Sequence, residues 1–201
     1  LYEEGLIYKG KRLVNWDPVL QTALSDLEVI SSEENGKIWE IKYYLDDESG
    51  NFLEIATTRP ETILGDTAVA VNPDDDRFIK YIGKNVVVPV TGKIVPVISD
   101  DYVDMEFGTG CLKITPGHDF NDYELAKKHN LEIINIFDTS ARVKCDTKEY
   151  NNLDRFAARK KILSELENSD QLLKISDHKM IIPRGDRSHS IIEPLMTDQW
   201  Y

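Results

Sequence analysis

The alternating stretch between residues 37 and 58 restricts the fold more than any other feature of the sequence. KIWEIKYYL (37–45) and FLEIATT (52–58) both alternate between apolar and polar residues, and DDESGN between them has the composition of a turn. Side chains at a period of two lie on one face of a β-strand. The stretch therefore predicts a β-hairpin made of two strands of ordinary length.

A second hairpin is predicted further along the chain. NVVVPV (85–90) and KIVPVIS (93–99) flank a Thr-Gly turn. Proline has no amide hydrogen to give to a sheet ladder, and each of these strands contains one, Pro89 and Pro96. We therefore expect these strands to lie at a sheet edge or at a barrel corner.

Helical signals come later and are fewer. Asp119 is a good N-cap for a helix in DFNDYELAKKHN (119–130), and LDRFAARKKILSELENS (153–169) is the clearest helix of the chain. The predicted apolar face of that second helix consists of Phe156, Ala157, Leu163 and Leu166. A chain of mostly strands with two or three inserted helices predicts an α+β fold, built around a closed or nearly closed β-barrel with peripheral helices.

Size and charge set limits on function. The chain has 201 residues, enough to bury a real core, and a formal net charge of −12. Nucleic-acid binding relies on clustered lysine and arginine, so this charge argues against a protein that contacts nucleic acid over its whole surface. Local contact stays open, because Arg155, Arg159, Lys160 and Lys161 form a basic cluster. An ordinary solvated face explains that cluster equally well.

Compartment and redox state follow from other counts. No apolar run approaches the roughly 18 residues needed to cross a bilayer, and the first residues lack a signal-peptide pattern. We therefore expect a cytoplasmic protein with no membrane partner. Cys111 and Cys145 are too few and too far apart for a zinc ribbon or a disulfide framework, which predicts buried free thiols.

The segment EIATTRPETILGD (54–66) contains the first candidate site. Thr57 and Thr58 favour extended backbone, whereas Pro60 fixes its own φ and biases the residue before it away from helix, so a strand should end here. PETILGD is too short for a stable helix and contains Gly65, which predicts a tight corner presenting hydroxyls, a guanidinium and free backbone N–H groups. A binding site and a purely structural corner are both open at this point.

The segment MEFGTGCLKITPGHDFNDYELAKKHN (105–130) contains the second candidate site. Lys113 and Thr115 are two apart on a short predicted strand and so share a face. Asp119 and Asp122 are three apart at the start of a predicted helix and project to the same side. One cation, one hydroxyl and two carboxylates therefore converge beside a glycine-rich turn.

Three interpretations of this cluster compete. A metal site formed by His118, Asp119 and Asp122 is disfavoured, because the remaining histidines are not spaced to complete a ligand set, and we predict no metal. A structural interpretation has Asp119 capping a helix and Asp122 solvated. In the third, a carboxylate pairs with an ammonium while Lys113, Thr115 and a second carboxylate bind an alcohol.

Four stretches together resemble the editing insertion (connective peptide 1) of the valyl-tRNA synthetase family, within the class I aminoacyl-tRNA synthetases. They are VNWDP, ATTRPETILGDTAVAVNPDDDRF, DMEFGTGCLKITPGHDFNDYELAKKHNLEIINIFD and PRGDRSHSIIEPLMTDQWY, and the resemblance runs from end to end of the chain. The related leucine and isoleucine enzymes share the threonine-rich corner and a Pro-(Ala/Gly)-His turn. The stretch FGTGCLKITPGHDFNDYE is similar to the valine type.

The sequence departs from the family pattern at two positions. Gly117 stands where alanine is common, and we expect it to leave the pocket slightly looser. His189 stands where a glycine is usual, which bears only on how the exit arm contacts its neighbours.

The resemblance implies a β-barrel-rich editing domain that hydrolyses threonine wrongly attached to tRNA(Val), as a post-transfer editing activity of a valine–tRNA ligase. Residues 33–174 would form the editing core, and residues 1–32 and 175–201 would be extended β arms linking it to a catalytic domain. ATP and magnesium would serve only that catalytic domain, since the chain has neither a His-x-Gly-His nor a Lys-Met-Ser-Lys stretch. The implied partners are the 3′ CCA end of tRNA(Val) and the rest of a monomeric synthetase.

The resemblance also implies roles for single residues. Thr58, Arg59 and Asp119 would be catalytic, with Asp119 anchoring the α-ammonium of the aminoacyl group. The substrate-binding residues would be Thr57, Thr62, Lys113, Thr115 and Asp122. No serine or cysteine nucleophile has a partnered base, so we infer direct attack of a positioned water on the ester, with corner N–H groups or Arg59 meeting the oxyanion and a ribose hydroxyl moving the proton. The alternative is a non-catalytic module that docks the tRNA 3′ end or braces the synthetase.

Overall fold

Strands make up most of the ordered backbone. The computed structural model describes residues 1–200 of the 201-residue chain. The strands are β1 (Lys9–Asp17), β2 (Thr22–Leu24), β3 (Val29–Tyr44), β4 (Phe52–Thr57), β5 (Ala68–Val71), β6 (Asn85–Val87), β7 (Ile94–Ser99), β8 (Cys111–Ile114), β9 (Leu172–Gly185) and β10 (Glu193–Trp200). The helices are α1 (Phe120–His129) and α2 (Arg155–Asn168), with 3-10 helices at Asp26–Glu28, Pro60–Gly65, Ile79–Tyr81 and Lys148–Tyr150. The predicted α+β class is confirmed.

The strands form three sheets, in the orders β10-β1-β2, β4-β3-β9 and β6-β7-β5-β8. Both predicted hairpins are confirmed. β3 and β4 pair antiparallel up to Tyr44 and Phe52, and β6 and β7 pair antiparallel up to Val87 and Ile94. β5 and β7 pair parallel.

The sheets do not close into a hydrogen-bonded barrel within residues 1–200, so that part of the prediction was too strong. The bridge between Leu45 and Val86 joins β3 to β6, while on the opposite side β4 packs against β8 without a ladder. Pro96 does not lie on an edge strand, because β7 has β6 on one side and β5 on the other. The two partners cover different halves of β7: β6 pairs as far as Pro96, and β5 begins at Val97.

A long two-stranded ribbon of β3 and β9 extends beyond the packed sheets. The ladder runs from Val29, opposite Gly185, to Ile41, opposite Leu172, with an irregularity after Glu40. Both predicted boundaries of the editing core fall inside these continuous strands. The division into arms and core stays a prediction.

β5 is buried on both faces and divides the core in two. Val69 and Val71 belong to the larger cluster, together with residues of β3, β4 and α2, whereas Ala68 and Ala70 pack with Leu125 of α1 in the smaller one. The small alanine side chains leave room for α1 against the sheet. This packing places the start of α1 beside β8, where the candidate site lies.

The buried face of α2 differs from the predicted one. Its buried residues are Arg155, Ala158, Ile162 and Leu166. Only Leu166 belongs to both sets. The buried positions follow a spacing of three and four residues, and a buried arginine takes the place where the apolar pattern suggested Phe156, which is 39% exposed.

Cys111 and Cys145 are both free; Cys111 is buried as predicted, and Cys145 is only partly buried. Burial raises the pKa of the Cys111 thiol to about 12. Over residues 1–200, no helix has the length and apolar character required to cross a membrane.

Candidate active site

All eight predicted site residues line one groove of about 510 Å³. The end of β4 and the corner after it form one wall, and β8 with the N-terminus of α1 forms the floor. The opposite wall comes from the β3–β9 ribbon, through Ile38 and the segment 178–181. The eight residues are Thr57, Thr58, Arg59, Thr62, Lys113, Thr115, Asp119 and Asp122.

The corner has the predicted position but more regular structure than expected. β4 ends at Thr57, and residues Pro60–Gly65 form a 3-10 helix instead of an irregular turn. The Thr57 hydroxyl accepts the amide of Arg59 at 3.0 Å, and the amide of Thr62 donates to the Arg59 carbonyl at 3.1 Å. Two of the backbone N–H groups that were expected to be free are therefore used inside the corner.

Thr58 is the corner residue whose side chain remains available. It is partly buried and lines the groove, and within the described part of the chain its hydroxyl has no hydrogen-bond partner. It also lines a second cavity of about 510 Å³ on the other side of the corner, where Trp39 and Phe156 lie. Thr58 is thus placed to meet a ligand.

Arg59 is anchored inside the protein. Its Nη2 contacts both Glu193 oxygens, at 2.6 and 2.8 Å, its Nε donates to Glu61 at 3.2 Å, and its Nη1 donates to the His118 carbonyl at 3.0 Å. Burial opposes the charged guanidinium, but the two carboxylates outweigh it and raise the pKa of Arg59. This geometry makes Arg59 a partly buried support of the corner, and its assignment as a catalytic group stays a prediction.

Two arginines of α2 complete that ion network. Arg155 Nη1 donates to Glu193 at 2.7 Å, and Arg159 donates to both oxygens of Glu61, at 2.7 and 2.9 Å. Burial favours neutral carboxyls, yet the arginines hold the pKa of both glutamates below the usual range. The network holds three arginines and two glutamates. The interpretation of Arg155 and Arg159 as a plain solvated face was therefore wrong.

Lys113 and Thr115 share a face as predicted, and they meet a residue that was not predicted. Lys113 Nζ donates to the hydroxyls of Thr115 and Thr62, the latter at 2.7 Å, and lies 3.1 Å from Asp66 Oδ1. The Thr115 hydroxyl donates to the same Asp66 oxygen at 2.5 Å. The Tyr43 hydroxyl donates to Asp66 Oδ2 at 2.6 Å. Lys113, Thr62, Thr115 and Asp66 form a buried polar floor beneath the groove, and Tyr43 contacts only the second oxygen of Asp66.

Asp122 lies at the edge of that floor. It is 6% exposed, so the interpretation of a solvated carboxylate was wrong, and its Oδ2 accepts the amide of Thr115 at 2.8 Å. Burial and repulsion from Asp119 raise the pKa of Asp122 to about 7, although Lys113 and the amide bond act in the opposite direction. Asp122 therefore changes charge near neutral pH.

Asp119 confirms the predicted N-cap. Its Oδ1 accepts the amides of Asn121 and Asp122, at 2.8 and 3.1 Å, and the side chain is exposed at the mouth of the groove. The helix dipole stabilises a carboxylate at this position. The cap occupies one oxygen, so the other can pair with a cation entering the groove.

His118 is buried, and backbone groups hold its ring in place. Its Nε2 accepts the amide of Ile136 at 2.9 Å, so the neutral ring carries its proton on Nδ1, which lies 3.1 Å from the Pro194 carbonyl. Burial lowers the pKa of His118. Both ring nitrogens are therefore occupied by backbone groups, and Nδ1 also lies 3.3 Å from Glu193 Oε1. Neither nitrogen is directed at Asp119 or Asp122 as a metal ligand.

The expected effect of Gly117 is absent, and the contacts of His189 are local. A Cβ at Gly117 would lie 2.1 Å from the Ile134 carbonyl oxygen, so the backbone of Ile134 fills the space and the pocket is not looser. His189 has φ +55°, the left-handed region that glycine adopts without cost. Its amide donates to Gly185 and its carbonyl accepts from Arg184, both at 2.9 Å, so its contacts lie within its own turn.

Sequence reasoning missed four supporting residues. They are Tyr43, Glu61, Asp66 and Glu193. Glu61 and Asp66 stand inside otherwise apolar stretches, and a charged residue in such a stretch needs a buried partner. That signal was present in ETILGDTAVAV, but the sequence does not show which partner each residue meets.

A family model and a solved structure match this chain. The model of the leucyl-tRNA synthetase editing domain covers residues 79–180, about half of the chain. The ternary complex of an Agrobacterium radiobacter LeuRS with tRNA and LeuAMS has a similar fold, with a TM-score of 0.55 and 18% identity, over 90% of this chain and 31% of that one.

Curated relatives match the entire chain. A valine–tRNA ligase of Acinetobacter baylyi is 54% identical over 224 aligned residues, and one of Legionella pneumophila (strain Lens) is 57% identical over 202. All of this chain is aligned in both cases. The chain spans only 23% and 22% of the length of these relatives.

Proposed function

The chain belongs to the family of aminoacyl-tRNA synthetase editing domains described by the leucyl-tRNA synthetase model, and on that premise we propose that it hydrolyses the ester of threonyl-tRNA(Val). The products would be free threonine and tRNA(Val). In this proposal the domain acts in the cytoplasm within a monomeric valine–tRNA ligase. The high identity to valine–tRNA ligases supports the assignment to such a ligase.

The observation that carries the proposal is a buried polar floor beneath an exposed carboxylate. Asp119 offers a free oxygen at the mouth of the groove, and Lys113, Thr115 and Asp122 lie together at the floor. An aminoacyl ester carries an ammonium on its α-carbon, and threonine adds a hydroxyl on its β-carbon. The groove matches both groups, the ammonium at Asp119 and the hydroxyl at the floor.

Such a floor supplies the selectivity that an apolar pocket lacks. The known limit for valyl-tRNA synthetases is a rejection of threonine by only about a hundredfold at the synthetic site. A site built to hydrogen-bond a hydroxyl rejects the analogue without it by roughly 10⁴–10⁵, because its buried polar groups would stay unpaired. Valine would leave unpaired the acceptor groups that the floor presents to the groove, so the correct ester would survive.

Hydrolysis would proceed by attack of a water on the ester carbonyl. The water oxygen forms a bond to the carbonyl carbon, the bond to the ribose oxygen breaks, and the ribose hydroxyl regains a proton. Thr58 is the side chain best placed to contact the ester or the terminal ribose, because its hydroxyl has no hydrogen-bond partner among residues 1–200. One such hydrogen bond in the transition state is worth roughly a hundredfold in rate or more.

The rim of the groove suits a single-stranded nucleic acid end. Tyr102 and Phe107 line the groove with 52% and 68% exposure. Exposed aromatic rings stack with bases whatever their sequence. We propose that the last base of the tRNA 3′ CCA end stacks there, while the acidic remainder of the surface leaves most tRNA contacts to other parts of the synthetase.

The direct test compares threonyl-tRNA(Val) and valyl-tRNA(Val). Each ester is incubated with the 201-residue chain and with a full valine–tRNA ligase that carries it, beside a sample without protein. We expect loss of the threonyl ester and survival of the valyl ester. Binding of tRNA without loss of either ester, in the full enzyme, would support the non-catalytic docking module instead.

We further propose that the domain needs no cofactor. The chemistry above uses a water, hydroxyls and carboxylates, and the His118 ring is occupied by backbone groups. EDTA should leave the rate unchanged once the magnesium that folds the tRNA is restored. A specific requirement for zinc or manganese would contradict this mechanism.

A further inference from the structure

We propose that Asp66 is a positioning residue that sets the selectivity of the groove for a hydroxylated aminoacyl group, acting through Thr115 and Lys113. This inference rests on the proposed function. Asp66 directly follows the 3-10 helix of the corner, is 1% exposed and lies behind the groove lining. It does not touch the substrate space, so any effect on selectivity must pass through its neighbours.

The hydrogen bonds of Lys113 are already committed. An ammonium has three N–H donors, and here they meet the hydroxyls of Thr62 and Thr115 and the carboxylate of Asp66. A substrate hydroxyl can receive a hydrogen bond from Lys113 only by replacing one of these. Lys113 is therefore a fixed member of the floor, and Asp66 is the charged group that holds it there.

Asp66 also decides what Thr115 offers to the groove. A threonine hydroxyl has one proton and two lone pairs. The proton goes to Asp66 Oδ1 at 2.5 Å, and one lone pair accepts from Lys113. One lone pair of the Thr115 hydroxyl then stays free. The floor therefore presents a hydrogen-bond acceptor and favours a substrate group that donates a hydrogen bond.

The same arrangement penalises valine. A methyl group in place of the hydroxyl cannot donate to Thr115, nor to the Asp122 carboxylate beside it. Burial raises the pKa of Asp66, and the charge of Lys113 is the largest effect that opposes this and favours the carboxylate, followed by the hydrogen bond from Thr115. Asp122 is the other carboxylate near Lys113, and it carries its own bond to the Thr115 amide.

The test uses Asp66→Asn in a full valine–tRNA ligase carrying this domain. An amide of nearly equal volume removes the charge and lets the Thr115 proton turn toward the groove. We expect kcat/KM for threonyl-tRNA(Val) to fall by about ten- to a hundredfold while slow valyl-tRNA(Val) hydrolysis stays within about threefold, so the selectivity ratio falls at least about tenfold.

Tyr43→Phe is the matched control. It removes the hydrogen bond to Asp66 Oδ2 but leaves the Oδ1 contacts with Lys113 and Thr115, so the threonyl-to-valyl ratio should stay within about twofold of wild type. A fall as large as that of Asp66→Asn would show a general packing effect and overturn the proposal. Asp66→Glu replaces Asp66→Asn if the latter does not fold, because it keeps the charge but displaces the oxygen. An unchanged ratio there would also overturn it.

A double-mutant cycle with Thr115→Val checks the route of the effect. If Asp66 acts through the Thr115 proton, adding Asp66→Asn to Thr115→Val should lower the ratio by much less than in the wild-type background. Equal losses in both backgrounds, or equal losses for both esters, would overturn the proposal. A wild-type enzyme that hydrolyses neither ester would instead refute the proposed function, which keeps the two failures distinct.

Discussion

The Asp119 carboxylate caps the helix that carries Asp122, through a hydrogen bond of 3.1 Å from the Asp122 amide to Asp119 Oδ1. The two aspartates lie one helical turn apart but differ in environment. Asp119 is exposed at the mouth of the groove, and Asp122 is buried at its floor. The same cap thus fixes the position of both carboxylates. A substitution at Asp119 can therefore act through the lost charge or through a less stable helix, and these two effects need separate measurements.

Asp119→Asn should remove the ammonium partner and keep the helix cap, because asparagine is as good an N-cap as aspartate. We expect threonyl-tRNA(Val) hydrolysis to fall by roughly ten- to a hundredfold or more, the worth of a charge-assisted hydrogen bond. Asp119→Ala should abolish editing and also cost about 1 kcal/mol of stability. Asp154→Ala, which removes the cap of α2, is the control. It should lower stability by a similar amount and leave the editing activity unchanged.

The raised pKa of Asp122 predicts that the stability of the protein changes with pH in a definite direction. Its pKa rises from the ordinary value of 3.8 to about 7 on folding. Between these values the folded chain binds more protons than the unfolded chain, so this group's contribution to stability falls as pH rises from about 4 to about 7. Asp122→Asn lacks that term. Urea unfolding at pH 5 and pH 8 should therefore show the variant gaining stability relative to wild type at the higher pH.

The same titration should appear in selectivity. In the proposed site, the Asp122 carboxylate would accept a hydrogen bond from the threonine hydroxyl above about pH 7, and the neutral acid would accept it poorly below that pH. The ratio of threonyl to valyl hydrolysis should rise through this range in wild type. Using the ratio cancels the titration of the substrate ammonium, which both esters share. A ratio that is flat in wild type would remove Asp122 from hydroxyl recognition.

Thr58→Val tests whether the corner contacts substrate. Valine has nearly the same volume and suits extended backbone, so the melting temperature should stay within about two degrees. Hydrolysis should fall by about ten- to a thousandfold if the hydroxyl faces the ester or the ribose. Thr57→Val is the contrast, because it loses the bond to the Arg59 amide and should lower stability. Full activity of Thr58→Val would show that the corner is only structural.

Arg59→Lys should lower stability as well as rate. A lysine cannot reproduce the paired contacts to Glu193 together with those to Glu61 and the His118 carbonyl. We expect a loss of about 2 kcal/mol, equivalent to a fall in melting temperature of roughly 4–8 °C for a chain of this size. Arg187→Lys, at an exposed arginine, should change neither quantity. An unchanged melting temperature for Arg59→Lys would contradict the supporting role.

His189→Gly should stabilise the protein. Left-handed backbone costs an L-residue about 1–2 kcal/mol, and glycine recovers this while losing about 0.5–1 kcal/mol through the freer unfolded chain. The net gain should be about 0.5–1 kcal/mol, seen as a rise of roughly 1–4 °C in melting temperature by calorimetry. Editing activity should not change. A lower melting temperature would contradict the strain at this turn.

Local chemistry in the sequence predicted the elements well, and long-range contacts were the part it left out. β4 ends just before Pro60, as expected, and the Asp119 cap involves only amides of its own helix. The ladder of β3 with β9 was not predicted, because Val29 and Gly185 meet only after the chain has folded back. The pairing of Asp66 with Lys113 has the same origin. Side-chain type shows that a buried charge needs a partner, but only the fold selects which one.

The ion network around Arg59 also orders events during synthesis of the chain. Arg59 and its partner Glu193 are 134 residues apart in sequence. When the corner leaves the ribosome, the carboxylate that will hold it has not yet been made. The contacts between Arg59 and Glu193 therefore form only after β10 has been synthesised. The corner has its full set of ion-pair partners only when nearly the whole segment has been made.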